Sequence, residues 1–130
     1  MTNQLFHQIV ENVEYDFANL ALYDQSAYSK AAMSKLLSSV RNNIINAMNS
    51  NNTGSIPDQT SHIKFALFSG HDTTLMPVLA ALLEDHWDRK WAAYASMITI
   101  ELYASSDKKE DLFRIVYNGV NYKHTISILY

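Results

Sequence analysis

The stretch Lys64-Phe65-Ala66-Leu67-Phe68-Ser69-Gly70-His71-Asp72-Thr73-Thr74-Leu75-Met76-Pro77 decides the fold of this chain. Its apolar part, Ile63 to Phe68, is short and aromatic-rich with no room for a polar face, which predicts a buried strand. Ser69-Gly70 ends that strand. Asp72-Thr73-Thr74 then favours the start of a helix, because these residue types cap helix ends.

The residues after Thr74 predict the body of that helix. Apolar side chains recur there at helical spacing, as expected for a helix that packs against a sheet; they are Leu75, Val78, Leu79, Leu82 and Leu83. His71 and Asp72 would therefore lie where the strand ends and the helix begins. Ligands bind at that edge of an open α/β sheet, and the N–H groups and dipole of a helix start favour an anion.

Two amphipathic helices are predicted before the strand. The first runs from Leu5 to about Leu22 and the second from about Ser26 to Met48, because apolar residues recur along one side of each. Tyr23-Asp24-Gln25-Ser26 predicts a break between them. Asn49 to Asp58 is rich in residues that favour turns and predicts a loop.

Two strand patterns follow the predicted central helix. Glu84 to Lys90 is charged and predicts a surface connection that Trp87 and Trp91 anchor. Met97 to Tyr103 alternates between apolar and polar residues and predicts a half-buried strand. Leu112 to Tyr117 predicts its hairpin partner.

The end of the chain completes the predicted topology. Ala104 to Asp111 predicts a polar turn, Asn118-Gly119 a tight turn, and Val120 to Tyr130 a further short strand. The order of elements predicts an α/β fold, in which helices lie against a sheet that has an antiparallel edge hairpin. A length of 130 residues suits a modest core, so residues 1–130 are predicted to form a single domain.

Composition excludes several classes of function. The net charge of -3 gives no basic surface for nucleic acid or an anionic membrane, and no segment has the roughly 18 apolar residues of a membrane span. With 48% hydrophobic residues, the chain is predicted to be globular and soluble. The absence of Cys excludes disulfides and thiol chemistry but does not fix a compartment.

Three motifs in order resemble those of a known family. Ser69-Gly70-His71-Asp72-Thr73-Thr74-Leu75 resembles the second catalytic motif of the histidine acid phosphatases, branch 2 of the histidine phosphatase superfamily, which includes the prostatic and lysosomal acid phosphatases. Tyr94-Ala95-Ser96 with Glu101-Leu102-Tyr103, and then Phe113 to Gly119, recur at similar spacing in that family. The resemblance implies a phosphoglycerate-mutase-like sheet, of which this chain would hold part.

The resemblance also implies an activity, the hydrolysis of phosphate monoesters through a phosphohistidine. His71 would bind the phosphoryl group and stabilise the transition state, Asp72 would protonate the leaving oxygen, and Thr73 would contact substrate. Because Asp72 must carry a proton, and a bound phosphoryl group raises its pKa, activity should be favoured in acid. No cofactor is implied, and no two His lie three or four residues apart, so no metal site is expected.

One motif of the family is absent from these residues. Its members carry an Arg-His-Gly motif with the nucleophilic histidine, and the 130 residues contain no Arg-His step. The chain therefore resembles the carboxyl-side portion of an acid phosphatase, a fragment that is predicted to be inactive alone. Its open sheet edge would be covered by another chain or by a second copy. The alternative is a shortened relative that binds a phosphate-containing ligand or a protein without hydrolysis.

Structural interpretations of the same residues stay open at this point. Asp72 could be a helix N-cap, and His71 a structural histidine. Glu101 could be solvated or salt-bridged, and Arg114 is predicted to face solvent. The remaining histidines are predicted to lie on the surface; they are His7, His62, His86 and His124.

Overall fold

A computed structural model describes residues 2–52, 64–103 and 112–122 of the protein. The described residues combine helices with a small antiparallel sheet. The helices are α1 (Asn3–Ala32), α2 (Ser34–Asn52), α3 (Asp72–Leu83) and the short 3-10 helix η1 (Glu84–His86). The strands are β1 (Ile98–Tyr103), β2 (Leu112–Tyr117) and β3 (Val120–Tyr122). None of the helices in these three ranges is long and apolar enough to cross a bilayer.

The chain divides into two compact units. The first comprises Met1–Lys35 and Gly70–Ser96, and the second comprises Leu36–Ser69 and Met97–Tyr130. The first unit therefore contains α1, α3 and η1, and the second contains most of α2 and the sheet. The single domain over residues 1–130 stays a prediction.

The core of the first unit forms where α1 packs against α3. Small residues on α1 and α3 let the helices approach closely, and larger ones fill the space between them; the buried side chains include Ala18, Ala21, Met76, Leu79, Ala80, Leu83 and Trp87. The buried hydroxyl of Ser26 donates a hydrogen bond of 2.9 Å to the carbonyl oxygen of Ala80, which ties α1 to the second half of α3. The predicted helix after Thr74 is thereby confirmed.

The predicted break at Tyr23–Ser26 is confirmed as an interruption within α1. Tyr23 is extended, and Asp24, Gln25 and Ser26 have φ angles of 48°, 54° and 61°, in the left-handed region. Two hydrogen bonds hold this turn: the Ser29 hydroxyl donates to the carbonyl oxygen of Ala21 at 2.7 Å, and the Lys30 ammonium donates to that of Gln25 at 2.8 Å. A left-handed conformation costs a non-glycine residue about 1–2 kcal/mol, so neighbouring contacts must offset it.

The exposed residue Gln25 allows that strain to be tested. We expect Gln25→Gly to raise the free energy of unfolding by about 0.5–1 kcal/mol, because glycine adopts a positive φ without a steric penalty. Gln8→Gly is the matched control, since Gln8 is exposed within the regular part of α1 and the same change there should cost about 0.5–1 kcal/mol. Urea unfolding followed by circular dichroism measures both. A loss of stability in Gln25→Gly would contradict the left-handed turn.

The second predicted helix, Ser26 to Met48, is wrong at both ends. Its first residues belong to α1, which ends at a turn where Met33 has φ −94° and ψ 4°. Methionine is a good helix former and gives no stop signal, so the apolar pattern predicted a helix that continues through this turn. The predicted loop from Asn49 begins too early because α2 continues to Asn52: extending a formed helix costs little, and asparagine is only mildly unfavourable in one. The rest of that loop lies outside the described residues.

The predicted buried strand, Ile63 to Phe68, is wrong for this chain. Residues 64–71 form no strand or helix, and none of the three described strands pairs with them. Phe65, Leu67 and Phe68 are 80%, 78% and 48% exposed. A strand needs hydrogen bonds and a packed face from its neighbours, and no described segment supplies them here.

The predicted hairpin of the second unit is confirmed. β1 pairs with β2 in antiparallel register from Ile98 opposite Tyr117 to Tyr103 opposite Leu112, and β3 continues the sheet. Asn118 and Gly119 have φ angles of 48° and 82°, as expected for a two-residue hairpin turn. The predicted turn at 104–111 and the end of the last strand beyond residue 122 lie outside the described residues.

Candidate active site

The candidate site lies at the amino end of α3. His71 is the N-cap residue, with extended backbone, and its carbonyl oxygen accepts the N–H groups of Thr74 and Leu75, each at 2.9 Å. The His71 side chain is exposed and makes no capping hydrogen bond. Asp72 is the first residue of the helix, so the N-cap position considered for Asp72 belongs to His71. Both side chains stand at a helix start, where partial positive charge favours anions.

Both oxygens of the Asp72 carboxyl accept a hydrogen bond. Oδ1 accepts the backbone N–H of Thr73 at 2.7 Å, and Oδ2 accepts the indole N–H of Trp91 at 2.7 Å. The short distances are typical of donors that face an ionised carboxylate. The two donors come from different parts of the chain, so they fix the orientation of the carboxyl group.

The same contacts lower the pKa of Asp72. The Trp91 indole N–H has the largest effect, followed by the backbone N–H of Thr73, while partial burial opposes them and the neighbouring His71 adds a smaller lowering. Hydrogen bonds to the charged form of a carboxyl always act in this direction. In the absence of a bound anion, the site therefore holds Asp72 as a carboxylate.

Thr73, the third predicted site residue, lies in the first turn of α3 with its side chain exposed. Its backbone N–H is already used by Asp72, which leaves the hydroxyl as the group that can reach a ligand. The structure thus brings His71, Asp72 and Thr73 together at one helix start. It also adds Trp91, which the sequence indicated only as an anchor of the connection after α3.

Trp91 also lines a cleft in the first unit. The cleft is open, has a volume of about 380 Å³, and is lined by Val13, Asp16, Phe17, Leu20 and Trp91. His71 and Asp72 do not line this cleft. Apolar side chains form most of its wall.

The sheet carries a separate charged cluster. Glu101 lies opposite Arg114 across the β1–β2 pair, and its Oε2 accepts both the Arg114 Nε–H and the Tyr103 hydroxyl, the latter at 2.5 Å. These donors, Arg114 first, lower the pKa of Glu101. Of the two interpretations of Glu101, the salt bridge is therefore the one observed. Arg114, which was predicted to face solvent, is about half exposed; its guanidinium pairs with Glu101 and lies 5.3 Å from the centre of the Tyr103 ring.

The other candidate groups lie apart from the helix start. His7 and His86 are exposed, as predicted, whereas His62 and His124 lie outside the described residues. The described ranges contain no group of three His, Asp or Glu side chains placed to hold a metal ion.

Comparison with known proteins defines the class. The family model for the histidine phosphatase superfamily, branch 2, matches residues 3–118, and the chain belongs to this family. The match includes the helix start with His71 and Asp72 and ends at Asn118, the first residue of the β2–β3 turn. The prediction made from the three motifs is therefore confirmed.

The curated relatives narrow the comparison to phosphatases. The chain is 31% identical over 115 residues to lysophosphatidic acid phosphatase type 6 of Pongo abelii, a match that covers 88% of this chain and 25% of the relative. The mouse protein of the same name is 30% identical over 115 residues, covering 88% and 26%. Human 2-phosphoxylose phosphatase 1 is 41% identical over 58 residues, covering 44% and 12%. The chain thus spans about a quarter of the length of the first two relatives, and no solved structure matches it significantly.

Proposed function

We propose that this chain is part of an acid phosphatase that hydrolyses phosphate monoesters through a phosphohistidine. In this proposal the nucleophilic histidine and its arginines come from outside the 130 residues, because the chain contains no Arg-His step. The observation that carries the proposal is the pair His71 and Asp72 at the start of α3, with the Asp72 carboxyl fixed by two donors.

His71 is proposed to bind the phosphoryl group. Its side chain is exposed at a helix start, and as an imidazolium it would donate a hydrogen bond to a phosphoryl oxygen. The exposed hydroxyl of Thr73 is proposed to contact the same group.

Asp72 is proposed to protonate the leaving oxygen. The contacts in the free chain keep it ionised, so the proton must be taken up when substrate binds. A phosphoryl dianion beside the carboxylate, together with loss of water, raises the pKa of the carboxyl and favours that uptake. Hydrolysis should therefore be favoured in acid.

The proposal also covers the segment that precedes the candidate site. We propose that residues 64–70 become a strand of a phosphoglycerate-mutase-like sheet when neighbouring strands are present. The exposed Phe65, Leu67 and Phe68 support this, because three large apolar side chains in an extended segment need a covered face. The cover would come from another chain or from a second copy.

A second candidate function is a shortened relative that binds a phosphate-containing ligand or a protein without hydrolysis. The absence of an Arg-His step from the 130 residues is consistent with both candidates. A reading of the gene upstream of Met1 separates the two: an in-frame Arg-His-Gly supports the phosphatase.

The purified 130-residue chain tests the proposal directly. We expect no turnover of p-nitrophenyl phosphate near pH 5, and we expect inorganic phosphate to shift the imidazole NMR signals of His71 but not those of the exposed control His7. His7→Ala should leave the phosphate response of His71 unchanged. Turnover by the pure chain would contradict the external nucleophile, and an unresponsive His71 would contradict the phosphoryl site.

A further inference from the structure

Trp91 is the described side chain that joins the candidate site to α1. Its indole N–H donates to Oδ2 of Asp72 at 2.7 Å, although the two residues lie 19 positions apart. A donor facing a carboxylate makes a hydrogen bond stronger than one between neutral groups. The contact therefore constrains the carboxyl more than a neutral pair would.

Trp91 is itself held by two contacts with α1. Its backbone N–H donates to Oε1 of Glu14 at 3.0 Å, and its ring meets the ring of Phe17 edge to face, with centroids 5.4 Å apart and planes at 61°. Glu14 and Phe17 lie near each other along α1, so they fix both the backbone and the ring. The direction of the indole N–H is thus set by a helix that carries none of the proposed site residues.

We propose that Trp91 is a positioning residue for Asp72, whose carboxyl it holds through the indole N–H in the orientation seen at the start of α3. Its catalytic meaning rests on the proposed function, in which Asp72 protonates the leaving group. With Oδ1 held by the Thr73 N–H and Oδ2 by Trp91, rotation of the carboxyl would break both hydrogen bonds.

The charge state of Asp72 follows from the same contact. The indole N–H favours the carboxylate and lowers its pKa, and His71 beside it acts in the same direction. On α1, Glu14 is engaged with the Trp91 backbone and Asp16 lines the neighbouring cleft, while the charged residues of η1 lie at the opposite end of α3. Removal of the indole donor alone should therefore raise the pKa of Asp72.

The test is an NMR titration of the 130-residue chain, which follows the Asp72 carboxyl carbon and the two indole N–H signals. In the wild type, the Trp91 indole signal should shift with the same midpoint as the Asp72 carboxyl, and Asp72→Asn should abolish that shift. In Trp91→Phe, which keeps a ring against Phe17 but lacks the donor, the Asp72 midpoint should move to higher pH.

Trp87→Phe is the matched control. The Trp87 indole nitrogen is buried and has no hydrogen-bond partner among the described residues, so this change should leave the Asp72 midpoint where it is. The proposal would be overturned by an unchanged Asp72 midpoint in Trp91→Phe. It would also be overturned by a wild-type Trp91 indole signal that does not shift as Asp72 titrates.

If Trp91→Phe does not fold, replacement of Trp91 by benzothienylalanine keeps the indole shape and removes only the N–H. The titration needs no turnover, so its outcome is independent of the proposed phosphatase activity. A coupled Trp91 and Asp72 with no phosphate response at His71 would uphold the positioning role and count against the proposed function. A phosphate response at His71 without coupling between Trp91 and Asp72 would overturn the positioning role and support the proposed function.

Discussion

Asp72→Asn should lower kcat for alkyl phosphates by about 10²- to 10⁴-fold in a phosphatase that contains this chain and the nucleophilic histidine. The amide keeps the shape of the carboxyl but has no proton to give to the leaving oxygen. An alkoxide is a poor leaving group and needs that proton in the transition state. The measurement is kcat for an alkyl phosphate and for p-nitrophenyl phosphate, in the wild type and the variant.

The leaving group provides the control. A p-nitrophenolate leaves with little help, so Asp72→Asn should slow p-nitrophenyl phosphate far less than the alkyl ester. Equal losses with both substrates would rule out the acid role and leave Asp72 as a residue that supports α3. Thr73→Ala, which changes an adjacent exposed side chain, should slow both substrates by the same factor.

Through Asp72, acid should favour the proposed activity and reduce the stability of the fold. Because the folded chain lowers the pKa of Asp72 below the ordinary value of 3.8, the ionised carboxyl stabilises the fold at neutral pH, and this stabilisation is lost as the pH falls through the folded pKa. In the proposed mechanism, catalysis instead requires the protonated form. If Asp72 is the proton donor, the bound phosphoryl group has to raise the pKa that Trp91 lowers, so proton uptake would accompany substrate binding.

Leu79→Ala should lower the free energy of unfolding of the chain by about 2–5 kcal/mol. Leu79 lies in the middle of α3 and is fully buried in the core between α1 and α3. The loss combines the transfer free energy of the deleted atoms with the cavity that they leave. Since small domains are stable by about 5–15 kcal/mol, the variant should show a large drop in its urea midpoint.

Leu67→Ala is the matched control for Leu79→Ala. The same atoms are removed, but Leu67 is 78% exposed in the extended segment before the candidate site. Its cost should stay within about 0.5 kcal/mol in the 130-residue chain. A cost as large as that of Leu79→Ala would show that residues 64–68 are buried in solution.

Elements with a local cause were predictable from the sequence. The capping residue types at Asp72-Thr73-Thr74 and the apolar spacing after them predicted α3, which begins at Asp72. Asn118-Gly119 predicted the turn between β2 and β3, because few residue pairs adopt two positive φ angles. His71 and Asp72 were placed at the helix start because Asp72-Thr73-Thr74 are residue types that cap helices. The function of these residues was inferred from the motifs and not from the pattern alone.

Elements that depend on distant partners were not predictable in the same way. The segment from Lys64 to Phe68 has the composition of a buried strand, yet a strand forms only when neighbours supply hydrogen bonds. The contact between Trp91 and Asp72 spans 19 residues and is set by Glu14 and Phe17 on another helix. A tryptophan in a charged connection was the one available signal, and it indicated burial but no partner.

The two tryptophans also restrict the length of the connection that joins them. Surface loops usually tolerate insertions and deletions, because few contacts depend on their length. Here Trp87 is buried, Trp91 reaches both α1 and α3, and Arg89 between them has a φ of 62°. An added residue between them would displace one indole or the other, so the contacts of the two tryptophans fix the length of this short loop.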